Sequence, residues 1–520
     1  MNAMPCWDQR GNRATGNADL RQPGPRKCEV LPPVAFDMLT FVNDWPEAVA
    51  FYVASTDSPI SAETFFSISD TEVIELIGEG FSGELARLAR AYSIRDQAFT
   101  VPTTPSPSRI LYQAEYDEVN RTIVAVLALR WVYNNDYASF VGAQPEATRL
   151  TRSSFDWLRG RLADALSEPT DLHTLITLVL INDLGKDAQL TIDYMGRRGE
   201  DISALNHDTI LLRAAEAGMV PCLGKISSRQ LKQIMCSLET GSEFNFGQFA
   251  QAENAPACIK RLQQADADQH VFDLHFAEQL LDISGAAGHM DWTCAKKLIE
   301  PILDAYRNVY DVALQVLAGQ LKPQAAQDVI LVRRARILQA KGFRQLSTEN
   351  PKERALMRLL CLGGVVDLET AELYGQVWDD LVSHDKIGGT ASLIHTLNLS
   401  GSEVEPAVQP IYMPALLAQA LSGEGPGGGR PKTRVERRMA LESALRYLDR
   451  VMTVEPRGWK GGHSGRATVV ERNVVDVIKG VVQGRQFRDD PSVLDAVDVP
   501  DAVVVLSLEG CGTDGSGRAG

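Results

Sequence analysis

Three side chains that can bind metal ions recur at helical spacing near the middle of the chain. His275, Glu278 and Asp282 stand at positions i, i+3 and i+7, and therefore share one face of a helix. A histidine and a glutamate three residues apart on a helix can hold one metal ion between them. The alternative is a solvated polar stripe beside the apolar face of the same helix. The pattern leaves both interpretations open.

A second polar segment, residues 182–186 with the sequence NDLGK, closes the apolar run 175–181. It resembles the His-Asp-x-Gly-Lys signature of the HD-domain superfamily, with asparagine in place of the histidine. HD domains are helical, metal-dependent phosphohydrolases with an oxygenase branch. The resemblance covers about residues 150–319. The long helical flanks and low-complexity tails also resemble those of uncharacterised fungal-type proteins.

The resemblance implies roles for the residues of this motif. Asp183 would ligate a metal ion and orient a nucleophilic water, whose pKa the metal lowers. Lys186 would lie near an anionic group of the substrate. Asn182 is a poorer ligand for zinc or iron than the imidazole that it replaces. The early histidine of the family should fall near residues 152–156, where the sequence has none.

A further histidine follows the motif helix in two-metal members of the superfamily, and His207 stands at about that place here. Alternatively, Asn206 or Asp208 caps the helix that begins there. If the site binds a divalent metal (Fe, Mn or Zn), the resemblance and the helical spacing together give the ligands Asp183, His207, His275 and Asp282.

Other histidines are weaker candidates. His173 stands near the start of the helix that carries Asp183, roughly 15 Å away at 1.5 Å per residue, so the two cannot share a metal ion. His384 and Asp385 repeat two letters of the motif without an apolar helix before them. We interpret that pair as a coincidental loop.

Apolar residues at helical spacing run through most of the chain and predict a mostly α fold, with a multi-helix HD-like core inside a larger helical body and disordered termini. The predicted helices cover residues 72–92, 116–133, 153–166, 171–183, 207–217, 228–238, 271–285, 292–318, 353–362, 368–382 and 434–451. Three prolines between residues 101 and 109 predict a loop there.

Composition shifts along the chain predict its organisation. The predicted regions are a disordered tail (1–30), an N-terminal helical region (31–149), an HD-like helical core (150–319), a helical extension (320–422), a flexible linker (423–433), a C-terminal basic helix and remainder (434–509), and a second disordered tail (510–520). Residues 430–466 contain ten Lys and Arg against four Asp and Glu. This basic segment either docks on an acidic face of the protein or contacts an acidic partner.

The net charge of −15 and the isoelectric point near 5.1 disfavour nucleic acid as a partner, because an acidic surface repels phosphates. The sequence has no run of 18 apolar residues, so we expect no membrane contact by a spanning helix. The eight cysteines are scattered without a metal-binding spacing. They indicate reduced thiols and a cytoplasmic location.

Three functions are consistent with these features. The first is an HD-like, metal-dependent enzyme that acts on a small molecule, either as a phosphohydrolase or as an iron-dependent oxygenase. The second is a catalytically inactive HD-like scaffold or a pseudoenzyme that binds a small molecule. The third is a structural, helical interaction protein, which would have interdigitated apolar packing where the other two have a pocket. The oligomeric state is open.

Overall fold

The computed structural model describes residues 50–51, 60–93, 102–264, 269–384, 390–398, 407–422, 430–453 and 468–507. All of them belong to one unit that spans Trp45–Gly520, and the remaining unit is Met1–Asp44. Both predicted tails lie outside the described residues, as do residues 423–429 of the predicted linker and Asp385.

Helices make up most of the described chain, which confirms the predicted mostly α fold. The N-terminal helices are α1 (Ala62–Ser67), α2 (Asp70–Gly80), α3 (Ser82–Leu88), α4 (Pro107–Tyr112), α5 (Asp117–Tyr133), α6 (Tyr137–Val141), α7 (Arg152–Ala165), α8 (Asp171–Ile181), α9 (Ala188–Arg198), α10 (His207–Glu216), α11 (Ser228–Glu243), α12 (Phe246–Ala250), α13 (Pro256–Ile259), α14 (Arg261–Gln264) and α15 (Gln269–Gly285).

The C-terminal part adds helices and short strands. Its helices are α16 (Glu300–Leu317), α17 (Pro323–Ala340), α18 (Pro351–Leu362), α19 (Leu368–His384), α20 (Thr390–Asn398), α21 (Met413–Ser422), α22 (Arg434–Thr453), α23 (Val475–Val477) and α24 (Arg485–Asp489), and the strands of the chain are β1 (Ala50–Phe51), β2 (Ile60–Ser61), β3 (Ala407–Ile411), β4 (Thr468–Asn473) and β5 (Val503–Ser507).

Most predicted helices begin and end within a few residues of the observed bounds, and the exceptions have local causes. The predicted helix 72–92 is interrupted at Phe81. The helix predicted over 292–318 begins only at Glu300, where Pro301 occupies the first turn and needs no hydrogen-bond acceptor. The predicted loop 101–109 is shorter than expected, because the side chain of Ser106 caps α4.

The buried side chains form two large hydrophobic clusters. The first runs from Phe65 to Ile330 and includes the apolar faces of α5, α8 and α15. The second runs from Leu338 to Leu494. The boundaries predicted inside each of these stretches stay predictions. Among the described residues, no helix is both long enough and apolar enough to cross a lipid bilayer.

A small mixed sheet in the C-terminal part has no counterpart among the sequence predictions. Its strand order is β3-β4-β5, with β3 parallel and β5 antiparallel to β4. Each strand has five or six residues, which is too short for a periodic signal to stand out from the surrounding helices. The sheet matters here because β3 and β4 bring polar side chains to the wall of a cavity.

The basic helix α22 is paired with acidic residues of its own chain. Arg437 Nη1 lies 2.7 Å from Glu369 Oε1, and Arg446 Nη2 lies 2.8 Å from Asp495 Oδ2. Arg438 pairs with Asp380 in the same way. This is the arrangement that the docking interpretation predicts.

Helices α5 and α15 approach each other closely at a glycine. A Cβ atom added at Gly285 would lie 2.3 Å from the carbonyl oxygen of Arg121 and 2.8 Å from the backbone nitrogen of Ala125. The helices can therefore touch only because residue 285 has no side chain. This contact fixes the distance between α5, which carries Glu118 and Arg121, and α15, which carries Glu278 and Asp282.

Replacing Gly285 with alanine should therefore lower the free energy of unfolding by about 3 kcal/mol, because α5 and α15 must separate. Gly160→Ala is the matched control: it lies inside α7 with nothing within 4 Å of the added Cβ. That change should stabilise the protein by about 0.5–1 kcal/mol. Urea denaturation of both variants measures the difference, and two effects of the same sign would contradict the close-contact explanation.

Candidate functional site

A buried group of charged side chains lies where α5, α8 and α15 meet. Lys186 Nζ is 2.8 Å from Asp183 Oδ1 and 3.4 Å from Glu118 Oε2, and Arg121 Nη1 is 2.8 Å from Glu118 Oε1. We call Glu118, Arg121, Asp183 and Lys186 the charged cluster. The ammonium of Lys186 thus lies between two carboxylates, and the guanidinium of Arg121 pairs with one of them.

Burial and ion pairing shift the pKa values of the carboxyl groups in this cluster in opposite directions. Burial alone would raise the pKa of Asp183, but Lys186, a hydrogen bond with Glu118, His207 and Arg121 together lower it below its ordinary value. Burial and the nearby charge of Asp183 raise the pKa of Glu118 to about 7. Asp183 is therefore the member of the pair that ionises at the lower pH.

His207 lies close to Asp183, as the resemblance predicts. Its Nε2 atom is 3.9 Å from Asp183 Oδ1 and 3.5 Å from Asp208 Oδ1. The glycine of the NDLGK segment explains this proximity, because a Cβ atom at Gly185 would lie 1.8 Å from the carbonyl oxygen of His207. The absence of a side chain at Gly185 lets the turn after α8 pack directly on the start of α10. The capping interpretation also holds, since Asn206 Oδ1 accepts a hydrogen bond from the backbone of Thr209.

His275 has different partners from those that the metal-ligand prediction requires. A hydrogen bond of 3.0 Å joins its Nδ1 to Ser237 Oγ, and its ring lies against that of Phe246. Its Nε2 atom is buried and has no hydrogen-bond partner among the described residues. Burial lowers the pKa of His275 to about 4, so the imidazole is neutral. His275 and Glu278 line a small cavity of about 30 Å³, together with Asp208 of α10.

Asn182, which replaces the motif histidine, connects α8 to α15 through hydrogen bonds. Its Nδ2 atom donates to Glu278 Oε1 at 3.0 Å, and its side chain also hydrogen-bonds Asp282. The carboxylate of Asp282 interacts electrostatically with Asp183, Lys186 and Arg121. The structure therefore brings Asp183, Lys186, His207 and Asp282 to one region and leaves His275 beside it.

The charged cluster borders a cavity of about 480 Å³. Lys186, His207 and Asp208 form one wall, and the opposite wall comes from the small sheet through Tyr412 and Glu471. A cavity of this size can enclose most of a small organic molecule. It lies where the two halves of the described chain meet, because α10 belongs to the first hydrophobic cluster and β4 follows α22 of the second.

Tyr412 adopts a backbone conformation that is rare for residues with a side chain. Its φ angle is +66°, in the left-handed region. The buried carboxylate of Glu253 accepts hydrogen bonds from the backbone N–H groups of Tyr412 and Met413, which holds this turn in place. Such strained residues persist where the surrounding structure holds them, and they cluster at functional sites.

Several residues of the site were not found from the sequence. Glu118 takes part in the cluster from the start of α5, whereas the early ligand was expected near residues 152–156. In that segment the hydroxyl of Ser154 donates instead to Glu300 Oε1 at 2.6 Å. Glu471 and Tyr412 come from the sheet that was not predicted. The acidic pair Asp117–Glu118 before a long apolar helix was the available signal for the first of them.

The described residues do not assemble the set of metal ligands that the resemblance implies. Among the described residues, no three His, Cys, Asp or Glu side chains form a group that could hold one. In the charged cluster, Lys186 Nζ lies 2.8 Å from Asp183 Oδ1, and His275 lines the smaller cavity. Metal binding stays a prediction.

The raised pKa values make the stability of the protein depend on pH. Burial raises the pKa of Glu278 to about 8 and that of Glu471 to about 7. The folded state therefore binds these protons more tightly than the unfolded state, whose glutamates titrate near 4.5. Unfolding releases these protons, so the contribution of the two glutamates to stability is fully present below pH 4.5 and is lost as the pH rises towards 8.

Glu278→Gln imitates the protonated side chain and should remove part of the loss of stability at rising pH. Between pH 6 and 8 we expect the variant to lose roughly 1–2 kcal/mol less stability than the native protein. Glu369→Gln, at an exposed glutamate of α19, is the control and should follow the native curve. Urea denaturation across this range is the measurement, and parallel curves for all three proteins would refute the assignment.

Comparison with known proteins gives one family match. A family model described as "Family of unknown function (DUF6829)" matches residues 74–494. This match includes the charged cluster and both hydrophobic clusters apart from a few N-terminal residues. Neither the search of curated proteins nor the search of solved structures found a match.

Proposed function

The chain belongs to this DUF6829 family, because the match covers well over half of its length, and we propose that it is a small-molecule-binding protein without a catalytic metal. In this proposal an HD-like helical core carries the ammonium of Lys186 where the superfamily carries a metal ion. The observation that supports it most directly is the position of Lys186 Nζ, 2.8 Å from Asp183 Oδ1 and 3.4 Å from Glu118 Oε2.

The charges of the cluster explain why an ammonium can take this place. Asp183 and Asp282 lie in the interior with Glu118, and unpaired buried carboxylates are costly. Lys186 and Arg121 supply positive charges next to these carboxylates. A divalent ion bound to Asp183 at about 2.2 Å would come close to the ammonium and be repelled by it. The positive charges of the cluster thus offset the negative charges of its two carboxylates within the chain.

The cavity supports the binding part of the proposal. A structural interaction protein would have interdigitated apolar side chains in this place, whereas the described chain has a cavity of about 480 Å³ with polar groups on both walls. A concave site with a few convergent polar groups is the usual form of a small-molecule site.

Metal analysis tests the first part of the proposal. The native protein, purified after growth with added iron, manganese and zinc, should contain much less than one equivalent of each. Asp183→Asn, which is nearly isosteric, should leave the metal content unchanged. Circular dichroism verifies that the variant is folded. One equivalent of metal in the native protein, lost in the variant, would overturn the proposal.

A ligand-observed NMR screen with a mixed-charge fragment library tests the second part. Fragments should bind the native protein and compete with one another for one site. In Ala188→Trp the new indole ring fills the mouth of the cavity, since Ala188 is an exposed residue of its wall, and binding should be lost. Binding that survives this change would mean that the cavity is not the site.

An HD-like, metal-dependent enzyme is the second candidate, either a phosphohydrolase or an oxygenase. The distance of 3.9 Å between His207 Nε2 and Asp183 Oδ1 favours it, because both atoms could face one ion after a small rearrangement. The same metal analysis separates the two candidates: stoichiometric Fe, Mn or Zn that depends on Asp183 would support the enzyme.

A further inference from the structure

We propose that the 480 Å³ cavity binds an organic cation, with an amine or amidine group that pairs with Glu471 and Asp208 and an apolar body. This inference deepens the proposed function and rests on it, because it names the class of molecule that the same cavity takes. It depends on which charges face the cavity and which of them are already paired.

Acidic groups dominate the cavity wall. The charged or titratable side chains on it, apart from two tyrosines, are those of Lys186, His207, Asp208, Glu243, Glu471 and Asp501. The positive charge of Lys186 is bound to Asp183 and Glu118. Glu243 lies 3.7 Å from Arg261 Nε. The cavity therefore has a negative potential, which disfavours anionic ligands.

Glu471 is the most distinctive of these acids. Asn206 Nδ2 donates to its Oε2 atom at 3.0 Å and Gln409 Nε2 donates to its Oε1 atom at 3.3 Å. Both oxygens are thus held in fixed positions by neutral amides. No lysine or arginine forms an ion pair with Glu471 in the part of the chain that the structure describes. A carboxylate that is oriented but not neutralised is suited to a cation from outside the chain.

Asp208 lies on the same cavity and acts on Glu471 electrostatically, which raises the pKa of Glu471 further after burial has raised it. A cation between the two would relieve this repulsion. The side chain of Asp208 is 36% exposed, and it lines both the 480 Å³ cavity and the smaller one beside it. Its contact with His207 at 3.5 Å supplies a positive charge only when that imidazole is protonated.

The uncharged side chains of the cavity wall favour an organic cation over an inorganic one. Tyr92, Phe244 and Tyr412 contribute aromatic rings, and Ile210 and Ile411 contribute aliphatic surface. Aromatic faces attract cations, and the aliphatic surface favours an apolar body attached to the charge. An inorganic ion would fill only a small part of about 480 Å³.

Three probes of almost the same shape test the inference: tryptamine, which is a cation, tryptophol, which is neutral, and indole-3-acetate, which is an anion. Isothermal titration calorimetry of the full chain at pH 8, above the pKa of about 7 to which burial raises Glu471, should show that tryptamine binds at least about tenfold more tightly than tryptophol. Indole-3-acetate should bind more weakly than either.

Two variants test which residues give the cavity its preference for cations. Glu471→Gln keeps the shape of the side chain and should weaken tryptamine about tenfold while leaving tryptophol unchanged. Asp208→Asn should act in the same direction and serves if the first variant does not fold. Glu369→Gln, an acid-to-amide change on the exposed face of α19, is the control and should bind tryptamine as the native protein does.

Two results would overturn the inference: similar affinities for all three probes, or no binding of tryptamine at about 1 mM. Neither result decides the proposed function, which has its own tests. Neutral or anionic fragments that bind the native protein but not Ala188→Trp would still support it. A tryptamine signal that Glu471→Gln and Asp208→Asn both leave unchanged would also overturn the inference.

Discussion

The contact between the ammonium of Lys186 and the carboxylate of Asp183 is the interaction on which the site depends. It closes the turn that follows α8, and through Glu118 it connects this turn to the start of α5. In a buried environment each of these charges would be costly without the other. The pairing therefore explains how charged residues can be buried where three apolar helices meet. It also explains why these residues lie together at one edge of a cavity.

Close backbone contacts make this convergence possible. Gly285 allows α5 and α15 to touch, and Gly185 allows the turn after α8 to rest on the first residue of α10. The two glycines thus control the distances between the elements that carry the charged cluster and His207. The opposite wall is fixed differently, by a buried glutamate that holds the left-handed turn at Tyr412.

The helical part of this architecture could be predicted from the sequence, because long amphipathic and apolar segments carry a strong periodic signal. The proximity of Asp183 to His207 could also be predicted, through the NDLGK segment. Glu118 could not be assigned, since a glutamate in the first turn of a helix is common for electrostatic reasons alone. Glu471 and Tyr412 depend on a sheet whose strands are short and distant in sequence. The contact between Lys186 and Asp183 is local, at i and i+3, whereas the contact between Lys186 and Glu118 is a tertiary property that no local pattern encodes.

A double-mutant cycle on Lys186 and Asp183 tests the central role of this ion pair most directly. The free energies of unfolding of the native protein, Lys186→Met, Asp183→Asn and the double variant are measured by urea denaturation. Lys186→Met removes the ammonium beside Asp183, and Asp183→Asn leaves Lys186 with Glu118 as its remaining carboxylate. We therefore expect a coupling energy of roughly 1–3 kcal/mol, with the double variant more stable than the sum of the single effects predicts. Additive effects, within about 0.5 kcal/mol, would contradict the central role of the pair.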